Sequence, residues 1–419
     1  MNSSLIATKL RDKISRFSGL LSKNLDKTCR RFIQECIYGI LFQESVLLTE
    51  IGRSLNSTVA LKKIEERFCR QLAKPKIQQT LHDQIARHAS SQITEETLLI
   101  LDLSDVKKQY AQSMEYLARV RDGSSEKGDL VNGYWTVNVI ATQLNSQHLI
   151  PLYHGLYSQK APDFESENDE ILGAIDHISH YASNRGIWVI DRGGDRDTIF
   201  LPLLRKKRQF IIRLVGSRDL ISGNKTTSAL SLAYHCPCSY SELIITVKDG
   251  KEEKHRITYG YVQVRHPDKQ KVPLYMLVVK GFGEKPMMLL TTLPLRRNRR
   301  ILKRILQSYF KRWSIEETIR YLKQSYDFEN IRVLTYVRLR NMAALLLAAI
   351  YFITTVLDSE SKLKILASHL LQSAKRVFGI PDFRYYALSD GVHNVLKNCP
   401  GIFSHHHEKP PGQLELELA

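Results

Sequence analysis

Cysteine is scarce: six in 419 residues, Cys29, Cys36, Cys69, Cys236, Cys238 and Cys399, with none of the regular spacing of a disulfide framework. That excludes a small disulfide-stapled scaffold, and with no apolar signal stretch at the start the expected compartment is a reducing cytosol. Acid is short relative to base, 43 Asp+Glu against 61 Lys+Arg, for a net charge of +18. The excess says little about fold but favours polyanionic partners, nucleic acid first. An anionic membrane surface fits less well, because no strongly basic amphipathic segment stands alone at a terminus. One uncharged run, "NMAALLLAAIYFITTVL", spans Asn341–Leu357 and its 17 residues reach only the lower limit of a membrane span. Arg338 and Arg340 precede it and Asp358 follows, so it reads as a buried core helix with no membrane partner. Clustered metal-binding His and Cys are missing as well. "HCPCSY", His235–Tyr240, has no second Cys/His pair near it, and His405–His407 reads as tail, so neither Cys236 and Cys238 nor the histidines make a zinc site. No internal repeat or long low-complexity segment is present.

What remains is an ordinary soluble composition, 43% hydrophobic and 25% charged, long enough for two to four domains. Residues 1–92 show apolar residues at helical spacing and read as a helical, candidate DNA-binding domain. Gly52 and "LNST" suggest a turn between two short helices, the second carrying Lys62, Lys63, Arg67 and Arg70. That pattern suits a helix-turn-helix and a plain bundle equally. From Glu96 the period changes. "TLLILDLS" reads as a strand ending in an acid, Tyr134–Ser158 as two strands around an "NSQ" turn, Asn168–Asn184 as a helix, and "GIWVIDRGGDRD" as a buried strand ending in another acid. This is an α/β core with a mixed sheet, first part 93–205. Residues 206–295 read as a β-rich insertion, with helix returning only after Pro294. Residues 296–345 return to the core, and 346–419 form a C-terminal helical region and tail, a candidate for dimerisation.

Two strands thus deliver carboxylates at their C-terminal ends, Asp102 and Asp191, where open α/β sheets place their sites. A third acid comes from "YFKRWSIEETIRYLK", Tyr309–Lys323. Eight Lys or Arg and no acid fall between Arg296 and Arg312, and then Glu316 and Glu317 follow. At about 100° per residue on one continuous helix, with Tyr309 at about 0°, Arg312, Glu316 and Lys323 fall at about 300° to 340°. Glu317 falls at about 80°, turned away, which favours Glu316 as the inward acid. Glu316 to Arg320 also has a favourable four-residue spacing for an ion pair. A solvated cationic helix explains the same charges; three carboxylates without clustered His or Cys instead suit hard divalent ions. Two such ions roughly 4 Å apart serve phosphoryl transfer. Flanking Lys and Arg would then hold phosphodiesters, making metal-dependent chemistry on DNA or RNA the reading from residues alone.

Tyr309, Arg312, Glu316 and Lys323 also fit the signature Tyr-x2-Arg-x3-Glu-x6-Lys. This YREK pattern resembles that of the bacterial insertion-sequence DDE transposases of the IS-four type. "ILDLSDVKKQYA", "RVRDGS", "GYW" and "WVIDRGGD" resemble the same family, over about Leu98 to Leu347. The resemblance implies an RNase H-like fold with a β-strand insertion between the second Asp and the Glu. It implies that Asp102, Asp191 and Glu316 bind Mg2+ or Mn2+, two ions per site, and act in catalysis. It also implies that Tyr309, Arg312 and Lys323 contact DNA, with Arg192 and Arg320 as further DNA contacts. The implied reaction is cleavage at transposon inverted-repeat ends, then attack of the 3′-hydroxyl on target DNA by a homodimer in a bacterial cytoplasm, associated with the nucleoid when on DNA. A catalytically silent DNA-binding regulator and a nuclease on the same fold are the alternatives. Asp105 is the alternative first acid in "DLSD", whereas Asp195 and Asp197 lie past the strand end. Trp135, Trp188 and Trp313 are the only tryptophans and none lies in the insertion, so a flipped base would need another aromatic there, such as Tyr259, Tyr261 or Tyr275.

Overall fold

Leu98–Leu101 and Ile187–Ile190 are runs of four buried apolar residues without alternation, the mark of parallel strands covered on both faces. In the computed structural model, which describes residues 3–123, 128–248, 251–357, 364–374 and 383–405, these runs form the centre of a twelve-stranded mixed sheet. Ahead of the sheet lie helices α1 (Ser3–Leu21), α2 (Lys27–Gln43), α3 (Leu48–Arg53), α4 (Leu61–Leu72) and α5 (Lys76–Ala89). The short helices α3 and α4 are joined by the expected turn at "LNST", but Gly52 lies within α3 and not in the turn. Ile64, Phe68 and Leu72 bury one face of α4, and Lys62, Lys63 and Arg70 remain exposed. Arg67 is drawn inward, 2.6 Å from the buried Glu35, which also holds Arg31 and His405. His406 and His407 lie outside the described residues.

The sheet begins with β1 (Leu98–Lys107), β2 (Ala118–Arg121), β3 (Leu130–Thr142) and β4 (Leu149–Tyr157), joined by antiparallel pairing through β3. Helix α6 (Glu167–Tyr181) carries the chain to β5 (Ile187–Ile190), which pairs parallel with β1. Helix α7 (Asp197–Arg205) then leads to β6 (Gln209–Arg213), parallel to β5. The order β4-β3-β1-β5-β6 is that of an RNase H-like core. Beyond β6 the same sheet continues through β12 (Met287–Thr291), β11 (Lys269–Lys280) and β10 (Lys251–His266), with β9 (Tyr240–Lys248) on β10 and the short β7 (Asp219–Ser222) and β8 (Lys225–Ser228) at the end. The expectation of no helix between residue 206 and Pro294 was wrong, because α8 (Ala229–His235) lies among the later strands; α7, just before that interval, was not expected from the sequence either. Both are short, nine residues for α7 and seven for α8, too brief to set up a clear helical period.

The chain closes with α9 (Arg299–Phe310), α10 (Trp313–Ser325), α11 (Tyr336–Tyr351) with a π-helical turn at Phe352–Val356, and, past a gap in the described residues, α12 (Lys364–Gln372) and then α13 (Tyr385–Asn398). The uncharged run is indeed a core helix. Tyr336–Val356 is long and apolar enough to cross a membrane, but 94% of its apolar window is buried in the fold. Its Asn341 Nδ2 donates to the carbonyls of Leu72 and Lys74, and its Oδ1 accepts from Gln78 N, which fastens the α4–α5 junction to the core.

Candidate active site

The parallel register fixes the first two acids. Leu101 of β1 pairs with Ile190 of β5, the last pair before the strands part. One position further along each strand stand Asp102 and Asp191. Asp102 does not close β1, as the sequence suggested; the strand runs on to Lys107, held by β3, and only its pairing with β5 stops at Leu101. After Ile190 the chain turns sharply through "DRGG". The backbone N–H of Gly193 donates to Asp191 Oδ1 at 2.7 Å, fixing that carboxylate. A Cβ on Gly193 would stand 3.0 Å from the same oxygen, and one on Gly194 would stand 2.6 Å from Ile190 Cγ2, so the turn needs both glycines for close approach.

Glu316 arrives from a bent helical segment. Asn298 caps α9 by accepting from Arg300 N and Ile301 N. The path from Tyr309 to Lys323 is not one regular helix, as assumed from spacing. It bends at Lys311–Arg312, where three-residue hydrogen bonds run from Arg312 N to Tyr309 O, Ser314 N to Lys311 O and Ile315 N to Arg312 O. The bend leaves the guanidinium of Arg312 between the first and third acids. Its Nη1 donates to Asp102 Oδ2 at 3.1 Å and its Nη2 to Glu316 Oε1 at 2.8 Å. Buried Tyr309 lies beneath, with its ring centre 5.9 Å from Arg312 Cζ.

Burial pushes the Asp102 carboxyl up to about 7; Arg312 opposes this, and the nearby Asp191 and Glu316 carboxylates add to it. The three acids therefore share one field. They are not drawn as close as ligands on a single ion. Among the described residues, the His, Cys, Asp and Glu side chains whose ligand atoms lie within 4.8 Å of one another are Asp197, His266 and Asp268. Sequence reading missed this second group, whose members lie up to 71 positions apart (268 − 197). Two of its members are already engaged: His266 Nε2 faces Asp197 Oδ1 at 3.3 Å, the backbone N–H of Asp268 donates to His266 Nδ1, and Arg218 pairs with Asp197. Asp195 is likewise engaged, 2.7 Å from Arg218. Neither Cys236 nor Cys238 joins a group of ligand atoms this close among the described residues.

The remaining expected site residues divide. Lys323 does not join Arg312 and Glu316; its Nζ lies 3.2 Å from both Asp105 Oδ1 and Glu329 Oε1. Asp105, the alternative first acid, is buried and committed to that lysine. Arg320 pairs with Glu317 at 2.6 Å, not with Glu316 as its spacing suggested, because Arg312 has already taken Glu316 from the other side. Arg192 is exposed beside Asp191 and lines a cleft with Arg213, Phe282 and Lys285. Tyr259 is buried against Tyr240, and Tyr261 faces Tyr275 at 6.5 Å, both partly buried, so Tyr259 has no free face for a base.

The basic run that precedes Glu316 does not encircle it. Arg300, Lys303, Arg304 and Gln307 lie at about 120° to 220° from Tyr309 around α9, away from the Arg312–Glu316 side. They line a separate polar cleft with Gln143, Leu144, Asn145 and Glu96. Arg304 reaches Glu96 at 3.0 Å and Lys303 reaches Glu242 at 3.1 Å.

No family model matches the sequence, and no curated protein does. Among solved structures the chain is similar to piggyBac transposase in its cryo-EM synaptic complex with hairpin DNA, at 12% identity and a TM-score of 0.41, over 99% of this chain and 87% of that chain. At that score the likeness adds nothing to what the site geometry says.

Proposed function

We propose that the chain is a DNA transposase that cuts and joins DNA strands with divalent ions held by Asp102, Asp191 and Glu316. The observation that carries this reading is the strand register: two aspartates stand side by side just past the last β1–β5 pair, and the third acid is tied to the first through Arg312. An all-oxygen donor set of carboxylates suits Mg2+ or Mn2+. The cluster also fits a divalent ion: largely buried Asp102 lies in the repelling field of the Asp191 and Glu316 carboxylates, and that field calls for more positive charge than Arg312 supplies. When bound, two ions supply activation of an attacking water or 3′-hydroxyl and stabilisation of the leaving oxygen. The chain's own residues hold and orient: Gly193 N fixes Asp191, Leu103 N donates to Asp102 Oδ1 at 3.0 Å, and Arg312 stands ready for a phosphate.

Within this reading the substrate is a pair of transposon inverted-repeat ends with target DNA, in the cut-and-paste manner of the insertion-sequence transposases of the IS-four type. Tyr309, Arg312, Glu316 and Lys323 are its YREK residues, a homodimer is the working unit, and the bacterial cytoplasm is its compartment. Arg192, exposed beside Asp191, serves as a DNA contact. The test is excision from a plasmid carrying the native flanks of the coding region, in Mg2+ or Mn2+. The proposal expects excision by the native chain and none by Asp191→Asn or Glu316→Gln. Excision surviving either change would overturn the ligand assignment; DNA binding without cleavage in either metal would make the chain a regulator.

A further inference from the structure

Arg312 occupies the space between Asp102 and Glu316 that a divalent ion shared by these two carboxylates would need. Its two Nη atoms bridge the carboxylates, while its Nε is buried with no hydrogen-bond partner. The Arg312 side chain is 11% exposed and that of Glu316 is 51% exposed, so the bridge is closed at Asp102 and open to solvent at Glu316. A lysine or histidine in this place would lose its charge by giving up a proton as an ion arrived. A guanidinium does not deprotonate in proteins, so an entering ion meets a fixed positive charge until the side chain moves off. A planar fork with one unsatisfied N–H finds its best alternative partner in a phosphate, which accepts two parallel hydrogen bonds. Lys323 does not share this role, because Asp105 and Glu329 hold it elsewhere.

We propose that Arg312 is a displaceable plug: in the DNA-free chain it keeps the divalent ion from Asp102 and Glu316, and a DNA phosphate opens the pair by drawing the guanidinium away. Metal and DNA then bind with positive coupling, and the ion is loaded only where a phosphodiester is present. This rests on the reading of Asp102, Asp191 and Glu316 as metal ligands.

The test is Mn2+ binding to the full-length protein, followed by the electron paramagnetic resonance signal of free Mn2+, with and without a mixed-sequence DNA duplex. Mn2+ condensed on the DNA itself is subtracted with Asp191→Asn. In the native chain the duplex should tighten Mn2+ binding at least about tenfold, and by linkage Mn2+ should tighten duplex binding by the same factor. Arg312→Met should bind Mn2+ at the tight level without DNA and gain little when DNA is added. Arg312→Lys, which keeps a cation that can give up its proton to an arriving ion and cannot bridge as a fork, should fall between and serves if the Met variant fails to fold. Variants that bind Mn2+ no tighter than the native chain, while Asp102→Asn abolishes binding, would overturn the plug and leave the ligand assignment standing. No Mn2+ binding by the native chain even with DNA would remove the ligand assignment and the plug together.

Discussion

Lys323 Nζ lies 3.2 Å from Asp105 Oδ1, and this pair separates two aspartates that sequence alone left in competition. Asp105 is almost wholly buried and bonded to Lys323; Asp102, three residues earlier, is bonded to Arg312 just past the last β1–β5 pair. Asp105→Ala would leave the half-buried Lys323 ammonium with only Glu329, which should cost roughly 1–3 kcal/mol of stability. Urea unfolding measures that cost, and Mn2+ binding in the presence of DNA should be retained. Loss of metal binding in Asp105→Ala, with retention in Asp102→Ala, would exchange their roles.

The Asp102 carboxyl makes a pH prediction of unusual sign. Its pKa in the fold is raised from 3.8 to about 7, chiefly by burial. The folded state therefore holds a proton that the unfolded chain has lost, and stability falls as pH rises from about 4 to about 7. Above that range the metal-free protein carries the full cost, on the order of 4 kcal/mol, because each pH step between the two values weighs about 1.4 kcal/mol. Asp102→Asn keeps the shape and removes the charge. Thermal unfolding of the variant in chelator should show a higher Tm than the native protein at pH 8 and a much smaller gain near pH 4. An equal gain at both values would show that the carboxylate is not strained by its surroundings.

Much of this site was legible because it is local. Four-residue apolar runs leading into Asp102 and Asp191 mark parallel core strands, and helical angle set Glu316, which meets Arg312, apart from Glu317, which meets Arg320, although Glu316 is the more exposed of the two. What the sequence concealed was tertiary. The bend at Lys311–Arg312 follows from no Pro or Gly, and it decides that Arg312 reaches across to Asp102 while Lys323 meets Asp105. The extension of one sheet from β6 into β12 and beyond depends on strands that read alike whether they join the core or stand apart. Contacts such as Tyr321 and Tyr326 with Ser389, which seat α13 on α10, join positions 68 and 63 apart and have no local signal.

The two neighbouring glutamates should behave very differently. Glu316 is bonded to Arg312 at the site, whereas Glu317 is occupied with exposed Arg320. Glu316→Gln removes one charged ligand and should lower strand cleavage by about a thousandfold, the effect of losing several kcal/mol of transition-state stabilisation. Glu317→Gln breaks only an exposed pair, worth at most about 1 kcal/mol, and should leave the rate within about threefold. Single-turnover cleavage of a labelled end substrate compares them. Similar losses from both changes would remove the basis for choosing between them by helical face.

The basic run of α9 should act on affinity and not on chemistry. Arg300, Lys303 and Arg304 line a cleft with Gln143 and Asn145, turned away from Glu316. If this face grips the DNA backbone, each cation that meets a phosphate releases a counterion, and each removal should flatten the plot of log affinity against log salt by about 0.9. Arg300 forms no ion pair among the described residues, so Arg300→Ala should show that change most cleanly; Arg304 is already shared with Glu96 and should show less. Cleavage of bound substrate at saturating protein should be unchanged, because neither side chain touches the three acids. The comparison is a salt series of duplex-binding isotherms for the native chain, Arg300→Ala and Arg304→Ala. An unchanged slope in both variants would make the run a solvated helix face and confine the DNA contacts to the neighbourhood of Arg192 and Arg312.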